Sequence, residues 1–145
     1  MKIPIYILIV DDEPDFVDML AMRLGDEGNK VRTALDGKSG LALLDEWDAD
    51  VVILDIKMPG MDGMQVLKEI KQKHPIVEVI LLTGHGTIDT AVEGLKSGAY
   101  DYLLKPANHQ ELLDKLEQAR KRKAEHEERI RQAEALALVR RTGGM

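Results

Sequence analysis

Five polar side chains stand where apolar, β-forming runs end. Asp11 and Asp12 follow Ile5–Val10, and Asp55 follows Val51–Leu54. Thr83 closes the run that starts at Val79, and Lys105 follows Tyr102–Leu104 and precedes Pro106. If these runs are neighbouring parallel strands, all five side chains gather at one edge of one sheet. Such a cluster concentrates negative charge where a divalent cation is wanted and sets an ammonium beside it. The chemistry that fits is phosphoryl transfer, in which positioning and charge neutralisation do most of the work. A hard cation such as magnesium takes oxygen ligands. One carboxylate can act as nucleophile and form an acyl phosphate. An ammonium and a hydroxyl can bind the transferred oxygens.

The elements that would position these residues alternate along the chain. The β-branched run Ile5–Val10 reads as a buried strand. Pro14 then opens a helix whose apolar face is Phe16, Val17, Leu20, Ala21 and Leu24, ended by Gly25 or Gly28. Lys30–Ala34 is a short strand, Asp36–Glu46 a helix with Leu41, Leu43 and Leu44 inward, and Val51–Leu54 a buried strand. A turn-rich loop, Met58-Pro59-Gly60-Met61-Asp62-Gly63, leads into a helix carrying Val66, Leu67 and Ile70. Glu78–Leu82 is the next strand; Thr87 caps a helix to Lys96 that Gly98 closes; Asp101–Leu104 is the last strand; Asn108 caps a final helix running past Arg140. Five strands alternating with five helices define an α/β fold with a parallel sheet. In such sheets, functional groups lie at the carboxyl ends of the strands.

The chain has 145 residues, enough for one domain with an appendage, and 44% hydrophobic content is enough for a core. It has no cysteine, so disulfides and thiolate metal sites are excluded. No signal-peptide pattern follows Met1, and no apolar run approaches the ~20 residues of a membrane span, so a cytoplasmic protein away from membranes is expected. The net charge of −6 divides unevenly: residues 1–106 hold 11 basic and 19 acidic residues, and residues 107–145 hold 9 and 7. The acidic body argues against direct nucleic-acid binding. The basic run Arg120-Lys121-Arg122-Lys123 is followed by Glu125, Glu127 and Glu128 and reads as a solvated helix face. A heptad from Leu112 runs through Leu116, Ala119, Lys123, His126, Ile130, Ala133 and Ala137, with Lys123 and His126 weakening it as a coiled coil. Residues 1–120 are therefore read as the body, and 121–145 as an extended helix or linker with a frayed tail at Gly143-Gly144.

Four motifs occur in order: Val10-Asp11-Asp12-Glu13, Leu54-Asp55-Ile56-Lys57-Met58-Pro59-Gly60-Met61-Asp62-Gly63, Leu82-Thr83-Gly84 and Tyr102-Leu103-Leu104-Lys105-Pro106. Together they closely resemble the receiver domain of two-component response regulators, over roughly Pro4 to Leu116. The resemblance implies a doubly wound sheet in flavodoxin-like order 2-1-3-4-5. It implies Asp55 as phosphoacceptor, with Mg2+ held by Asp12, Asp55 and the backbone carbonyl of Lys57, and Asp11 assisting directly or through water. Lys105 then pairs with the phosphoryl group, and Pro106 occupies the cis-proline position. Thr83 is the switch hydroxyl and Tyr102 the switch aromatic. Phosphorylation by a histidine kinase would shift populations toward an active face formed by the fourth helix, fifth strand and fifth helix, a face that often dimerises in this family. The stretch Thr83-Gly84-His85-Gly86-Thr87-Ile88-Asp89-Thr90-Ala91-Val92 resembles receivers of the nitrogen-regulation type. Those usually precede an ATPase domain that activates transcription. The implied role is a phosphoacceptor signalling domain rather than an enzyme, catalysing only its own phosphorylation and dephosphorylation.

Blander readings stand beside these. Taken alone, Asp11-Asp12 could cap the first helix and Asp55 could be a turn residue; the joint pattern favours the functional reading. His85 reads as a solvated loop residue, His74, His109 and His126 as surface residues, Met64 as core, and Met58 and Met61 as partner-facing. An aspartyl-phosphate phosphatase would want Asp-x-Asp, but Lys57 stands two residues after Asp55. A flavodoxin-like cofactor binder would want a phosphate-cradling loop that is missing. The remaining alternative is a non-phosphorylated docking or dimerisation scaffold, which the long helix favours and the complete acidic site opposes.

Overall fold

The computed structural model describes residues 2–143. Five strands, β1 (Tyr6–Val10), β2 (Lys30–Ala34), β3 (Val51–Leu54), β4 (Glu78–Thr83) and β5 (Asp101–Leu104), form one sheet in the order β2-β1-β3-β4-β5. All pairings are parallel. Helices α1 (Pro14–Asp26), α2 (Gly37–Glu46), α3 (Gly63–Lys73), α4 (Ile88–Lys96) and α5 (His109–Arg141) make the connections. This is the doubly wound arrangement in order 2-1-3-4-5.

The central strands are apolar throughout because both faces are covered. Alternation along each strand divides the core in two. Leu8, Val10, Val52, Leu54, Val79 and Leu81 face α2 and α3, meeting Leu44, Val66, Leu67 and Ile70. Ile7, Ile9, Val51, Ile53, Ile80 and Leu82 face α1 and α5, meeting Val17, Leu20, Leu24, Leu112, Leu116 and Ala119. Leu44 is buried in this core, and Leu41 and Leu43, half-buried, pack against it, so all three face inward as expected. Met58, expected to face a partner, packs in the core, with Met61 half-buried against it.

Side-chain caps fix the helix starts. Asp36 accepts from the Ser39 N–H at 2.8 Å, Asp62 from Met64 at 2.9 Å, and Asn108 from Glu111 at 3.0 Å. Gly60 adopts φ +80° in the loop before α3. Gly63 lies so close to β3's end that a Cβ there would stand 2.6 Å from the Ile56 Cα.

Helix α5 is 33 residues long, a rod of ~50 Å at 1.5 Å per residue. Its first half packs through Leu112, Leu116 and Ala119, and from Ala124 onward it is largely exposed. The basic run at its middle is not a uniformly solvated face. Lys123 is 3% exposed, its ammonium 3.2 Å from Asp50 and 3.7 Å from Asp48, with Glu127 at 3.6 Å. Arg122 reaches the buried Glu78 at 3.3 Å, which Lys71 also meets at 3.4 Å. The helix ends at Arg141, with Gly143 in a turn; Gly144 of the expected frayed tail lies outside the described residues. No helix among the described residues is long and apolar enough to cross a membrane.

Candidate functional site: an acidic pocket at the carboxyl edge of the sheet

Strand register decides which residues meet. Val10 pairs with Leu54, and the Asp55 N–H donates to the Val10 carbonyl at 3.0 Å, so the residues following β1 and β3 stand side by side. Thr83 pairs with Leu104, and the Lys105 N–H donates to the Thr83 carbonyl at 2.8 Å. Carboxylate oxygens of Asp11, Asp12, Glu13 and Asp55 all fall within 4.8 Å of one another.

Asp11 and Asp55 are each 2% exposed. The Lys105 ammonium lies 2.6 Å from Asp11 Oδ2, 3.1 Å from Glu13 Oε1 and 4.0 Å from Asp55 Oδ2. It also sits 4.1 Å over the Phe16 ring, a favourable cation–π position. Asp11 Oδ1 accepts from the Glu13 N–H at 3.0 Å. Burial holds the Asp11 carboxyl above its ordinary range; the Lys105 and Glu13 hydrogen bonds only partly offset this, and the Asp55 charge adds to it. Burial alone would lower the Lys105 pKa, but its hydrogen bonds to Asp11 and Glu13 and the Asp11 and Asp55 charges outweigh that and raise it.

Two observations mark the pocket as incomplete. Asp55 Oδ1 is buried with no hydrogen-bond partner, and Asp12, half-buried at the mouth, makes no side-chain hydrogen bond. A buried, unpartnered carboxylate oxygen is costly in a purely structural setting. The capping alternative for Asp11-Asp12 does not hold: the N-cap of α1 is Glu13, and no side chain caps that helix.

The other expected residues lie further out. The Thr83 side chain is fully buried, and its hydroxyl accepts from the His85 N–H at 3.1 Å, within its own loop. The Lys57 side chain is exposed on the loop after β3. Tyr102 is half-buried, its hydroxyl 3.1 Å from Thr90 Oγ1 on α4. The Lys105–Pro106 peptide bond is cis. His109 is not a plain surface residue: its Nε2 lies 2.8 Å from Glu27, bridging α5 to the end of α1. Sequence reasoning did not single out Glu13, Phe16 or Thr90. Glu13 adjoins the Asp pair, and Thr90 stands three residues after the capping Thr87, so both left a signal; Phe16 looked like ordinary core.

Comparison with known proteins agrees with this geometry. The model of the response regulator receiver domain matches residues 7–117, and the chain belongs to that family: it is a receiver domain of two-component response regulators. It is 45% identical over 109 residues to the nitrogen assimilation regulatory protein NtrX of Azorhizobium caulinodans, covering 74% of this chain and 24% of that protein. It is 44% identical over 115 residues to a putative NtrX-like response regulator of Rickettsia bellii, covering 78% of this chain and 24% of that one. The chain thus spans about a quarter of the length of these curated relatives. The crystal structure of the NtrX receiver domain from Brucella abortus superposes with a TM-score of 0.75 at 43% identity, covering 79% of this chain and 98% of that one. A CheY-like receiver from Methanospirillum hungatei superposes with a TM-score of 0.81 at 30% identity, covering 86% and 99%.

Proposed function

We propose that this receiver accepts a phosphoryl group on Asp55 from the phosphohistidine of a histidine kinase. The observation that carries the assignment is the orphaned Asp55 Oδ1, buried beside a lysine and three further carboxylates. In the transfer, an Asp55 oxygen forms the new P–O bond while the P–N bond to the kinase histidine breaks, its electron pair leaving on the imidazole nitrogen. Lys105 neutralises charge on the phosphoryl oxygens, and the Thr83 hydroxyl turns from its own loop toward them.

The residues fit a Mg2+ ion. The donor set is all oxygen, and Asp12 and Asp55 hold the oxygens left without hydrogen bonds, whereas Asp11 is engaged by Lys105 and Glu13. We assign Asp12, Asp55 and the Lys57 backbone carbonyl as ligands, with Asp11 assisting. When bound, the cation supplies charge that offsets repulsion between the carboxylates and the incoming phosphoryl oxygens.

The switched surface is the α4–β5–α5 face. Ile88, Val92 and Leu95 are exposed along α4, with Leu104 exposed on β5 beside them. Such a stripe suits a partner protein or a second copy of the chain, and the exposed second half of α5 offers another dimer contact. Output through transcription is inferred from relatives named as transcriptional regulatory proteins. The expected setting is the cytoplasm, with residues 1–120 as the receiver and 121–145 as the linker helix and tail.

Intact mass after incubation with magnesium and acetyl phosphate tests the reading. Wild type should gain one phosphoryl group, and neither Asp55→Asn nor a metal-free control should. No gain and no magnesium binding by the wild type would leave only the scaffold reading.

A further inference from the structure

The end of Tyr102 is built into the amino end of α4. Its hydroxyl meets Thr90 Oγ1 at 3.1 Å. Thr90 is also one half of a reciprocal cap. The Thr87 N–H donates to Thr90 Oγ1 at 2.9 Å, and the Thr90 N–H donates to Thr87 Oγ1 at 3.1 Å. The Thr90 hydroxyl reaches the Thr87 carbonyl at 3.0 Å and the Thr87 hydroxyl at 3.2 Å. A hydroxyl has one proton and two lone pairs. With the proton given to the Thr87 carbonyl, Thr90 Oγ1 accepts from the Thr87 N–H and from Tyr102, and is fully subscribed.

Two further observations give this contact weight. A Cβ on Gly86 would run into the Tyr102 hydroxyl and Leu104, so the tyrosine fills the slot that the glycine leaves open. The rest of α4 is lightly held: it buries only Gly94 and exposes Ile88, Val92 and Leu95. Few contacts compete with the cap and the Tyr102 bond in fixing its first turn. Meanwhile Thr83 is turned toward His85, within its own loop.

We propose that Thr90 is a positioning residue of the switch: its hydroxyl latches Tyr102 to the first turn of α4 and holds the unphosphorylated arrangement. When Tyr102 follows Thr83, it leaves Thr90, and the freed cap lets the amino end of α4 resettle. The exposed stripe Ile88, Val92 and Leu95 moves with that turn. Because the latch exists only in the resting arrangement, its loss lowers the cost of activation. This rests on the receiver reading above and adds a residue that the four motifs do not contain.

The test is a backbone-amide NMR titration with beryllofluoride, a phosphoryl analogue, in magnesium. It compares wild type, Thr90→Val, Thr90→Ser, Tyr102→Phe and the Thr90→Val/Tyr102→Phe double variant. Thr90→Val and Tyr102→Phe should each tighten the apparent Kd about fivefold, the size of one net side-chain hydrogen bond. The double variant should gain no more than either single one, since both remove the same bond. Thr90→Ser should behave as wild type. Before any ligand is added, the Gly86–Ala91 amides of Thr90→Val should already be shifted toward the bound positions of the wild type.

Additive single effects, or an unchanged Kd with only faster amide exchange in the first turn of α4, would reduce Thr90 to a helix cap and overturn the proposal. A wild type that binds no beryllofluoride in magnesium would overturn the receiver reading itself, and that arm involves no variant at Thr90.

Discussion

The two ends of the sheet carry similar charges arranged to opposite effect. At the amino edge, Asp48, Asp50, Glu78 and Glu127 meet three cations, Lys71, Arg122 and Lys123. At the carboxyl edge, Asp11, Asp12, Glu13 and Asp55 crowd together, and the ion pairs found there all run to Lys105. The first cluster is closed by cations: Asp50 takes the Lys123 ammonium at 3.2 Å and the Tyr6 N–H at 2.9 Å. Glu78 Oε2, although it too is buried without a hydrogen bond, has the Arg122 guanidinium 3.3 Å away. The second is open, with Asp55 Oδ1 unpartnered. Buried charge that is matched ties elements together. Buried charge left unmatched is held in place by the rest of the fold and awaits a ligand.

The comparison breaks most visibly in stability. Lys123→Met strips the amino-edge carboxylates of their buried partner and should cost about 3 kcal/mol in chemical denaturation. Asp55→Asn should do the reverse, stabilising the magnesium-free protein by about 1–2 kcal/mol because it relieves repulsion at the open end. If both variants destabilise equally, the two ends do not differ as described.

Magnesium sharpens the same contrast. At tenfold excess over its Kd it should stabilise the wild type by about 1.4 kcal/mol, and Lys123→Met by the same increment. Asp12→Asn should lose that increment, measured as the shift in Tm with added cation.

The smallest effect is at alkaline pH. Burial alone would lower the Lys123 pKa, but the Asp50, Asp48 and Glu127 charges and the Asp50 hydrogen bond outweigh it, so the folded value is raised. Its contribution is therefore complete below the unfolded-state pKa of about 10.4 and fades as pH rises through the folded value. Wild type should lose more stability than Lys123→Met between pH 9 and 11, by less than about 1 kcal/mol.

These two ends were not equally legible in the sequence. Asp11, Asp55, Thr83 and Lys105 could be placed because each follows an apolar run, and parallel strands bring such ends to one edge whatever the packing details. Asp50 and Glu78 stand just as regularly at the starts of β3 and β4, but the partner of Asp50 lies 73 residues away. That partner sits inside a basic run whose pattern matches a solvated helix. The heptad from Leu112 does put Lys123 on the face of Leu116 and Ala119, but an ammonium there reads as a break in the apolar pattern, and no local period shows that Asp48 and Asp50 meet it. Met58 was missed for a related reason: it lies in a loop, where periodicity gives no face, and the turn around Gly60 folds it back onto the core. The Thr90–Tyr102 bond is finer still, a meeting of two hydroxyls fixed by side-chain conformations rather than by strand order.

The most direct test of the claim that the open end is the phosphoacceptor is to locate the acyl phosphate chemically. After incubation with magnesium and acetyl phosphate, borohydride reduces an aspartyl phosphate to homoserine, which peptide mass spectrometry assigns to a position. The account predicts homoserine at Asp55 alone. Homoserine at Asp11 or Asp12, or none despite bound magnesium and a phosphoryl donor, would contradict it.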